Sequence, residues 1–167
     1  MSAQRLAGGC QCGAIRYAVE GPPESVAICH CRMCQKAVGS IVWPYFTVRR
    51  EAFAWTRGAP AHYRSSAAAR RGFCAACGTP LTFEPEEGET VDLGIGTLDS
   101  PAALKPTEQY WIDSRVPWFG TLDGLPKAGL GSSLPPEELA RRKTFQHPDH
   151  DTDHWLQQSG GRNGWSP

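Results

Sequence analysis

The stretch Cys29-His30-Cys31-Arg32-Met33-Cys34 packs three thiols into six residues. Two pairs of cysteines flank it along the chain, Cys10-Gln11-Cys12 before it and Cys74-Ala75-Ala76-Cys77 after it. These three clusters contain all seven cysteines of the chain. Thiols at such short spacings can point at one position, where Zn²⁺ takes four ligands in a tetrahedron with Zn–S bonds of about 2.3 Å. The clusters therefore predict metal-binding loops, around which the other elements of the fold must be arranged.

The seven sulfurs divide most simply into one group of four and one group of three. The two flanking pairs supply the four ligands of a closed structural site, namely Cys10, Cys12, Cys74 and Cys77. The triplet supplies three ligands and leaves a coordination position open for chemistry, namely Cys29, Cys31 and Cys34. An alternative is an ordinary zinc ribbon made of two C-x-x-C pairs, but it leaves Cys10, Cys12 and Cys29 without a function.

Disulfide bonds in a secreted protein are another possible use of these cysteines. The odd number of cysteines, the tight C-x-C spacing and an N-terminus without an apolar signal region argue against them. No apolar run approaches the roughly 20 residues of a membrane span. We therefore expect a cytoplasmic protein, in a reducing compartment where free thiolates can hold metal.

Composition limits the partners and the fold class. The 167 residues suit one domain with an appended segment, and 17 basic residues balance 17 acidic ones. This balance gives no electrostatic reason to expect nucleic acid or an anionic membrane as a partner. Fourteen prolines and eighteen glycines exclude long helices over most of the chain, so short strands are expected.

Short alternating stretches predict strands that run into the cysteine clusters. Residues 14–19 form one such stretch, and residues 26–28 form a second that leads directly into the triplet. Residues 35–38 suit one helical turn whose N-terminus lies near the thiolates. Residues 41–46 return to extended structure, and Pro44 indicates an edge strand.

Two further features are candidates for a role at the site. Arg70 and Arg71 are the dense positive charge beside a cysteine cluster, and either one alone suits a solvated surface. The functional interpretation is that one of them holds a substrate carboxylate by a charge-assisted pair. The aromatic residues between Tyr110 and Phe119 are expected to pack into the core or form a lid.

The chain changes character near its C-terminus. We expect a zinc-binding β domain over residues 1–128 and a C-terminal extension over residues 129–167. The segment from Ser132 to Lys143 has a polar cap, a proline in the first turn, early acids and late bases, which predict a short helix. The polar segment from Thr144 onward is predicted to be a flexible tail. The spacing of His147, His150 and His154 invites a metal interpretation, but the Pro-broken acidic context favours surface residues.

With these residues described, the chain resembles the glutathione-dependent formaldehyde-activating enzyme family, which includes the centromere protein V-like proteins. The resemblance runs in family order from about residue 8 to residue 126 and does not cover the extension. The matching segments are Gly9-Cys10-Gln11-Cys12-Gly13-Ala14-Ile15-Arg16-Tyr17, Cys29 to Cys34 with Gly39-Ser40, Tyr63-Arg64-Ser65, Arg71 to Gly78, Gly96-Thr97-Leu98-Asp99 with Pro101, Pro117-Trp118, and Asp123-Gly124-Leu125-Pro126.

The resemblance implies a mainly β, Mss4-like fold of small antiparallel sheets stabilised by zinc. It implies two zinc ions per chain, held by the same two groups of cysteines as the counting argument gives, with the triplet catalytic. It also implies a carbon–sulfur lyase that condenses glutathione with formaldehyde to S-hydroxymethylglutathione. Arg70 and Arg71 would then be the candidates to bind glutathione.

The residues suggest a mechanism in which a thiol, rather than water, enters the open position. Three thiolates make zinc a weaker Lewis acid than three histidines do, and coordination depresses a thiol pKa below its free value of about 8.5. Our hypothesis is that the glutathione sulfur occupies that position and attacks the aldehyde.

Other functions remain open at the level of the sequence. No residue in the sequence identifies the electrophile, so an enzyme that acts on a related glutathione adduct is an alternative to one that uses formaldehyde. A non-catalytic binding module is the main alternative, with His30 or a tail histidine completing the triplet. A methionine sulfoxide reductase of the B type would need a nucleophilic cysteine late in the chain, and no cysteine follows Cys77.

Overall fold

The computed structural model describes residues 5–127, 129, 134–142 and 144–153. In these ranges the chain forms ten β-strands, two short α-helices and several turns of 3₁₀-helix. The strands are β1 Arg5–Gly9, β2 Arg16–Glu20, β3 Ser25–Cys29, β4 Trp43–Arg49, β5 Phe53–Arg57, β6 Ala61–Ser66, β7 Ala69–Phe73, β8 Pro80–Pro85, β9 Thr90–Gly94 and β10 Glu108–Tyr110. The helices are α1 Arg32–Val38 and α2 Pro136–Arg141. The predicted mainly β fold with few short helices is confirmed.

The strands form two sheets. The smaller sheet has three strands in the order β1-β2-β5, and the larger has seven in the order β10-β3-β4-β9-β8-β7-β6. Neighbouring strands are antiparallel in both sheets except for the parallel pair of β10 and β3. The second sheet is thus larger and slightly more mixed than the sequence predicted.

The main core lies between the two sheets. Its buried side chains come from β1 and β2 on one side and from β4 and β9 on the other, namely Leu6, Tyr17, Val19, Phe46, Val48, Val91 and Leu93. Each such side chain contributes roughly 1.5–3 kcal/mol when it is taken out of water. Because successive residues of a strand point to opposite faces, filling this core with Phe46 and Val48 turns Trp43, Tyr45 and Thr47 to the other face of the larger sheet. That second face carries the cysteine triplet.

The prediction that Pro44 marks an edge strand is wrong. β4 lies inside the larger sheet, between β3 and β9, and Pro44 faces Ile28 of β3. The ladder between β4 and β9 begins only at the next residue, where Tyr45 faces Gly94. A proline at this position therefore removes no hydrogen bond to β9, and an interior strand tolerates it.

The aromatic residues after β10 were expected to pack into the core or to form a lid, and they do not fill the core. Tyr110, Trp111, Ile112 and Trp118 are exposed, with 68% of Trp111 and 51% of Trp118 accessible to solvent. β10 is the outermost strand of the larger sheet, so the chain that follows it runs along the outside of the molecule.

The described end of the chain lies against the β domain. The backbone N–H of His147 donates to the carbonyl of Gln11 at 2.8 Å, and Asp151 forms an ion pair with Arg16 at 2.8 Å. The structure thus places residues 144–153 of the predicted tail in contact with the domain, whereas residues 154–167, including His154, lie outside the described residues. The predicted short helix is present as α2, and the division of the chain after residue 128 stays a prediction.

Candidate metal centres and active site

The four-cysteine cluster joins the two sheets. One of its pairs lies in the loop between β1 and β2 of the smaller sheet, and the other lies between β7 and β8 of the larger one. Ligand atoms from both loops lie within 4.8 Å of one another, namely the sulfurs of Cys10, Cys12, Cys74 and Cys77. Backbone amides support the arrangement, since Ile15 donates to the sulfur of Cys10 at 3.3 Å and Gln11 donates to the hydroxyl of Thr79 at 3.1 Å.

Zinc fits the geometry of this cluster. The sulfur of Cys12 lies 3.6 Å from that of Cys10 and 3.8 Å from that of Cys74. In a tetrahedron with Zn–S bonds of about 2.3 Å, two ligand sulfurs are about 3.8 Å apart. The cluster therefore has the spacing that a tetrahedral metal ion requires.

The second cluster is formed by the end of a strand and the start of a helix. Cys29 ends β3, Cys31 caps the N-terminus of α1, and Cys34 lies in the first turn of α1. The backbone N–H of Cys34 donates to the sulfur of Cys31 at 3.3 Å, which satisfies one of the free amides at the helix start. The three sulfurs lie within 4.8 Å of one another, so this triplet also fits a metal ion.

Burial changes the acidity of the triplet. It raises the pKa of the Cys29 thiol to about 12 and also raises that of Cys34, where the charge and hydrogen bond of Arg71 act in the opposite direction. Burial acts to raise the pKa of Cys31 too, but hydrogen bonds to its sulfur, first from the backbone of Cys34, outweigh it and lower the pKa. Neighbouring buried thiols ionise together only when a cation compensates their negative charge. Three thiol sulfurs are a donor set that a metal cation can bind.

Of the two predicted arginines, the structure brings one to the triplet. Nη2 of Arg71 donates to the sulfur of Cys34 at 3.3 Å, and its guanidinium carbon lies 5.4 Å from the ring centre of Trp43 and 4.9 Å from that of Phe83. Arg70 points to the opposite face of β7 and pairs with Glu84 at 2.8 Å. Strand alternation thus gives two adjacent arginines unrelated environments.

Histidine does not join the triplet among the described residues. His30 is fully buried, its Nε2 lies 2.9 Å from the side-chain oxygen of Gln109, and its ring meets Phe119 edge-on. His147 lies beside Gly13 and Arg57, on the loop of the four-cysteine cluster. Over the described part of the chain, the ligands that converge at the triplet are its three sulfurs.

One cavity opens at the triplet, and a second cavity shares part of its lining. The first, here called the site cavity, has a volume of about 480 Å³ and is lined by Cys29, Cys31, Arg32, Met33, Cys34, Trp43, Tyr45, Arg71, Phe83, Asp92, Trp111 and Ser114. The second, here called the groove, has a volume of about 630 Å³ and shares Arg32, Met33, Trp43 and Arg71 with the first. The groove continues past Lys36 of α1 and past the strands β6 to β8. The site cavity can therefore hold a small reactant, and the adjoining groove has space for a larger group.

The sequence analysis did not identify Asp92 as a residue of the site cavity. Asp92 follows Val91 in an alternating strand, where the polar residue normally faces water, but here it lines the cavity. A carboxylate within an apolar strand was the signal available in the sequence. Whether such a carboxylate faces water or a cavity depends on which face of β9 is covered by other elements, and the sequence alone does not show which face is covered.

Within the described residues, no helix is both long and apolar enough to cross a membrane. None of the seven cysteines forms a disulfide bond.

Comparison with known proteins adds two findings. A family model described as glutathione-dependent formaldehyde-activating enzyme matches residues 5–114, which is more than half of the 167-residue chain. A crystal structure of a Rhodobacter sphaeroides protein superposes with a TM-score of 0.51 at 21% sequence identity, covering 62% of this chain and 98% of that one. At this identity the structural likeness bears on the fold alone.

Proposed function

Because the chain belongs to the glutathione-dependent formaldehyde-activating enzyme family, we propose that it is a zinc-dependent carbon–sulfur lyase that condenses glutathione with formaldehyde or acts on a related glutathione adduct. The observation that carries this proposal is the triplet, where three converging sulfurs line an open cavity instead of being enclosed by a fourth described ligand. Two zinc ions per chain are proposed, one in each cysteine cluster. The proposed location is the reducing cytoplasm, where cysteines without disulfide bonds can hold metal.

The two zinc ions have different proposed roles. The four-cysteine cluster is closed and joins the two sheets, so its zinc would contribute folding free energy. At the triplet, Cys29, Cys31 and Cys34 would hold zinc as the catalytic site. A zinc ion there supplies positive charge, which lowers the pKa of a thiol that enters the cavity.

Arg71 is the proposed ligand for a carboxylate of glutathione. Its guanidinium is buried between two aromatic rings and uses one N–H on Cys34, so further donors of its planar group are available for a carboxylate. Arg70, the other candidate from the sequence, faces away and is paired with Glu84. We therefore assign the role to Arg71 and not to Arg70.

The groove is the proposed site for the rest of the tripeptide. Its charged lining residues are Arg32, Lys36 and Arg71, and none of its lining residues is acidic. Glutathione carries two carboxylates and one ammonium group, so a cationic groove suits its net charge. The aldehyde would then occupy the site cavity beside the triplet.

In the proposed reaction a bond forms between the thiol sulfur and the carbonyl carbon, and the thiol proton ends on the carbonyl oxygen. The protein contributes mainly the positioning of the two reactants and the population of thiolate. No oxidant or further reactant is needed.

The test is catalysis of the exchange between free glutathione and S-hydroxymethylglutathione, measured by exchange NMR with the zinc-loaded protein. We expect an exchange rate above the uncatalysed one, lost in Cys31→Ser with the fold intact and with one zinc fewer per chain. Cys74→Ser is expected to destabilise the fold, since it breaks the closed cluster.

Two outcomes would contradict the proposal. One is an exchange rate equal to that of buffer with zinc present in both clusters. The other is X-ray absorption showing a fourth protein ligand at the triplet that glutathione does not change, which would indicate a non-catalytic binding module.

A further inference from the structure

A row of five side chains crosses the site face of the larger sheet. Cross-strand register places Arg71 opposite Phe83, Phe83 opposite Asp92, Asp92 opposite Thr47, and Thr47 opposite Ser25. Directly opposed residues on neighbouring strands project to the same face. The row therefore connects the arginine at the triplet with a carboxylate near the middle of the sheet.

The polar members of this row are hydrogen-bonded in sequence. The hydroxyl of Ser25 donates to that of Thr47 at 3.0 Å, and the hydroxyl of Thr47 donates to Oδ1 of Asp92 at 2.7 Å. Among the described residues, this is the hydrogen bond that the structure gives to the Asp92 carboxylate. One carboxylate oxygen is thus held by the sheet, while the side chain lines the site cavity.

Several charged and titratable groups line the site cavity together with Asp92. Arg71 lines it from β7, Tyr45 from β4, and the thiols of Cys29 and Cys34 line the same cavity from β3 and α1. Burial raises the pKa of Asp92, although the hydrogen bond from Thr47 and the charge of Arg71 act to lower it. A carboxyl group with a raised pKa is better suited to exchange protons near neutral pH than a free one.

We propose that Asp92 is the proton-transfer residue of the site. Its carboxylate takes the proton from the thiol of glutathione as the thiol enters the site, and the resulting carboxylic acid gives this proton to the carbonyl oxygen as the sulfur adds to the carbonyl carbon. One S–C bond forms, one C=O π bond breaks, and the carboxylate is regenerated. This inference rests on the proposed function.

The other described residues that line the site cavity are less suited to this role. Arginine stays protonated in proteins, which excludes Arg71 and Arg32 as proton acceptors. Burial raises the pKa of Tyr45, so its phenol keeps its proton. The three cysteines are committed to the metal, and Asp92 is the acidic residue among the described lining residues. Thr47 is a positioning residue, since it orients the carboxylate without lining the cavity.

The test compares the wild type with Asp92→Asn, which keeps the side-chain shape and an oxygen that can accept from Thr47. We expect the exchange rate at saturating glutathione to fall about 100-fold, in the range of general acid–base catalysis. The affinity for glutathione, measured by calorimetry, is expected to stay within twofold of the wild-type value. The zinc content and the urea midpoint are expected to equal those of the wild type within error. Asp92→Ala supplies a second readout, since added formate is expected to restore part of its activity while chloride at equal ionic strength does not.

The outcomes separate this inference from the proposed function. An active wild type with an equally active Asp92→Asn would overturn the role of Asp92 and leave the proposed function standing. Loss of zinc or of glutathione affinity in Asp92→Asn, without formate rescue of Asp92→Ala, would make Asp92 a structural residue and overturn the inference. A wild type without catalysis would overturn both.

Discussion

Adjacent residues of one strand have different surroundings, because their side chains project from opposite faces of the sheet. Arg71 lies in a low-polarity layer between Trp43 and Phe83, where its charge interacts strongly with a sulfur. Arg70 is half-exposed, and its pair with Glu84 lies on the opposite face of the sheet. These two residues therefore provide a matched pair of substitutions with the same change in charge.

We expect Arg71→Gln to raise the KM for glutathione about tenfold or more, because a charge-assisted hydrogen bond is worth about 1.5–3 kcal/mol. Arg70→Gln is expected to leave the KM unchanged. Exchange NMR at varied glutathione concentration measures both, and zinc content and urea midpoints show whether each variant is folded. An equal rise of KM in the two variants would contradict the assignment of Arg71.

At the scale of elements, α1 and its N-cap supply two cysteines of the triplet, and the helix also has a charged side. The helix begins after Cys31, whose sulfur accepts a backbone hydrogen bond, and ends at Gly39, which has the left-handed φ of 62°. Arg32 and Lys36 are four residues apart, so they lie on one side of the helix, and both line the groove. The same helix thus positions Cys31 and Cys34 of the triplet and faces the proposed binding site of the tripeptide.

We expect Arg32→Ala/Lys36→Ala to raise the KM for glutathione about fivefold, since exposed ion pairs contribute about 0.2–1 kcal/mol each. The KM for the neutral thiol 2-mercaptoethanol is expected to stay unchanged, because it has no carboxylate. Lys105→Ala/Lys127→Ala removes the same charge from exposed positions outside both cavities and serves as the control. A similar loss with both thiols would contradict a role of the groove in binding carboxylates.

At the scale of the whole molecule, residues 144–153 form a strap over the loop that carries Cys10 and Cys12. Gly13 in this loop has a φ of +78°, and a Cβ atom on it would lie 2.1 Å from the ring of His147, so the strap packs where only glycine leaves space. Asp151 of the strap pairs with Arg16, whose side chain is only 4% exposed and also binds Asp99. The strap therefore closes the loop of the four-cysteine cluster from outside.

We expect His147→Ala/Asp151→Asn to lower the free energy of unfolding by about 1–2 kcal/mol, because the buried guanidinium of Arg16 loses one of its two partners. Urea unfolding measures this change. A colorimetric chelator assay is expected to show faster release of one zinc per chain. Asp149→Asn/His150→Ala alters the same residue types in the same segment at exposed positions and is expected to have no effect. Equal behaviour of the two variants would show that the strap contributes no stability.

Several features of the fold and the site were accessible from the sequence because they depend on residues close together in the chain. The spacing of the cysteines predicted the two groups of sulfurs, and short alternating stretches predicted β2 and β3. The edge position of Pro44 was predicted wrongly, and of the two roles expected for the aromatic residues after β10, packing into the core is not observed. Both depend on which strands are neighbours, and in this protein β4 pairs with a strand more than 40 residues away.

The sequence alone predicted the two groups of cysteines, the mainly β fold and the family, because thiol spacing and strand alternation are local properties that do not depend on how the strands are arranged. The three-dimensional structure was needed to show that Arg71 and not Arg70 contacts the triplet, that Asp92 lines the same cavity, and that residues 144–153 cover the loop of the four-cysteine cluster. Strand register and sheet order determine which face of each strand is covered, and both depend on many weak contacts between distant parts of the chain.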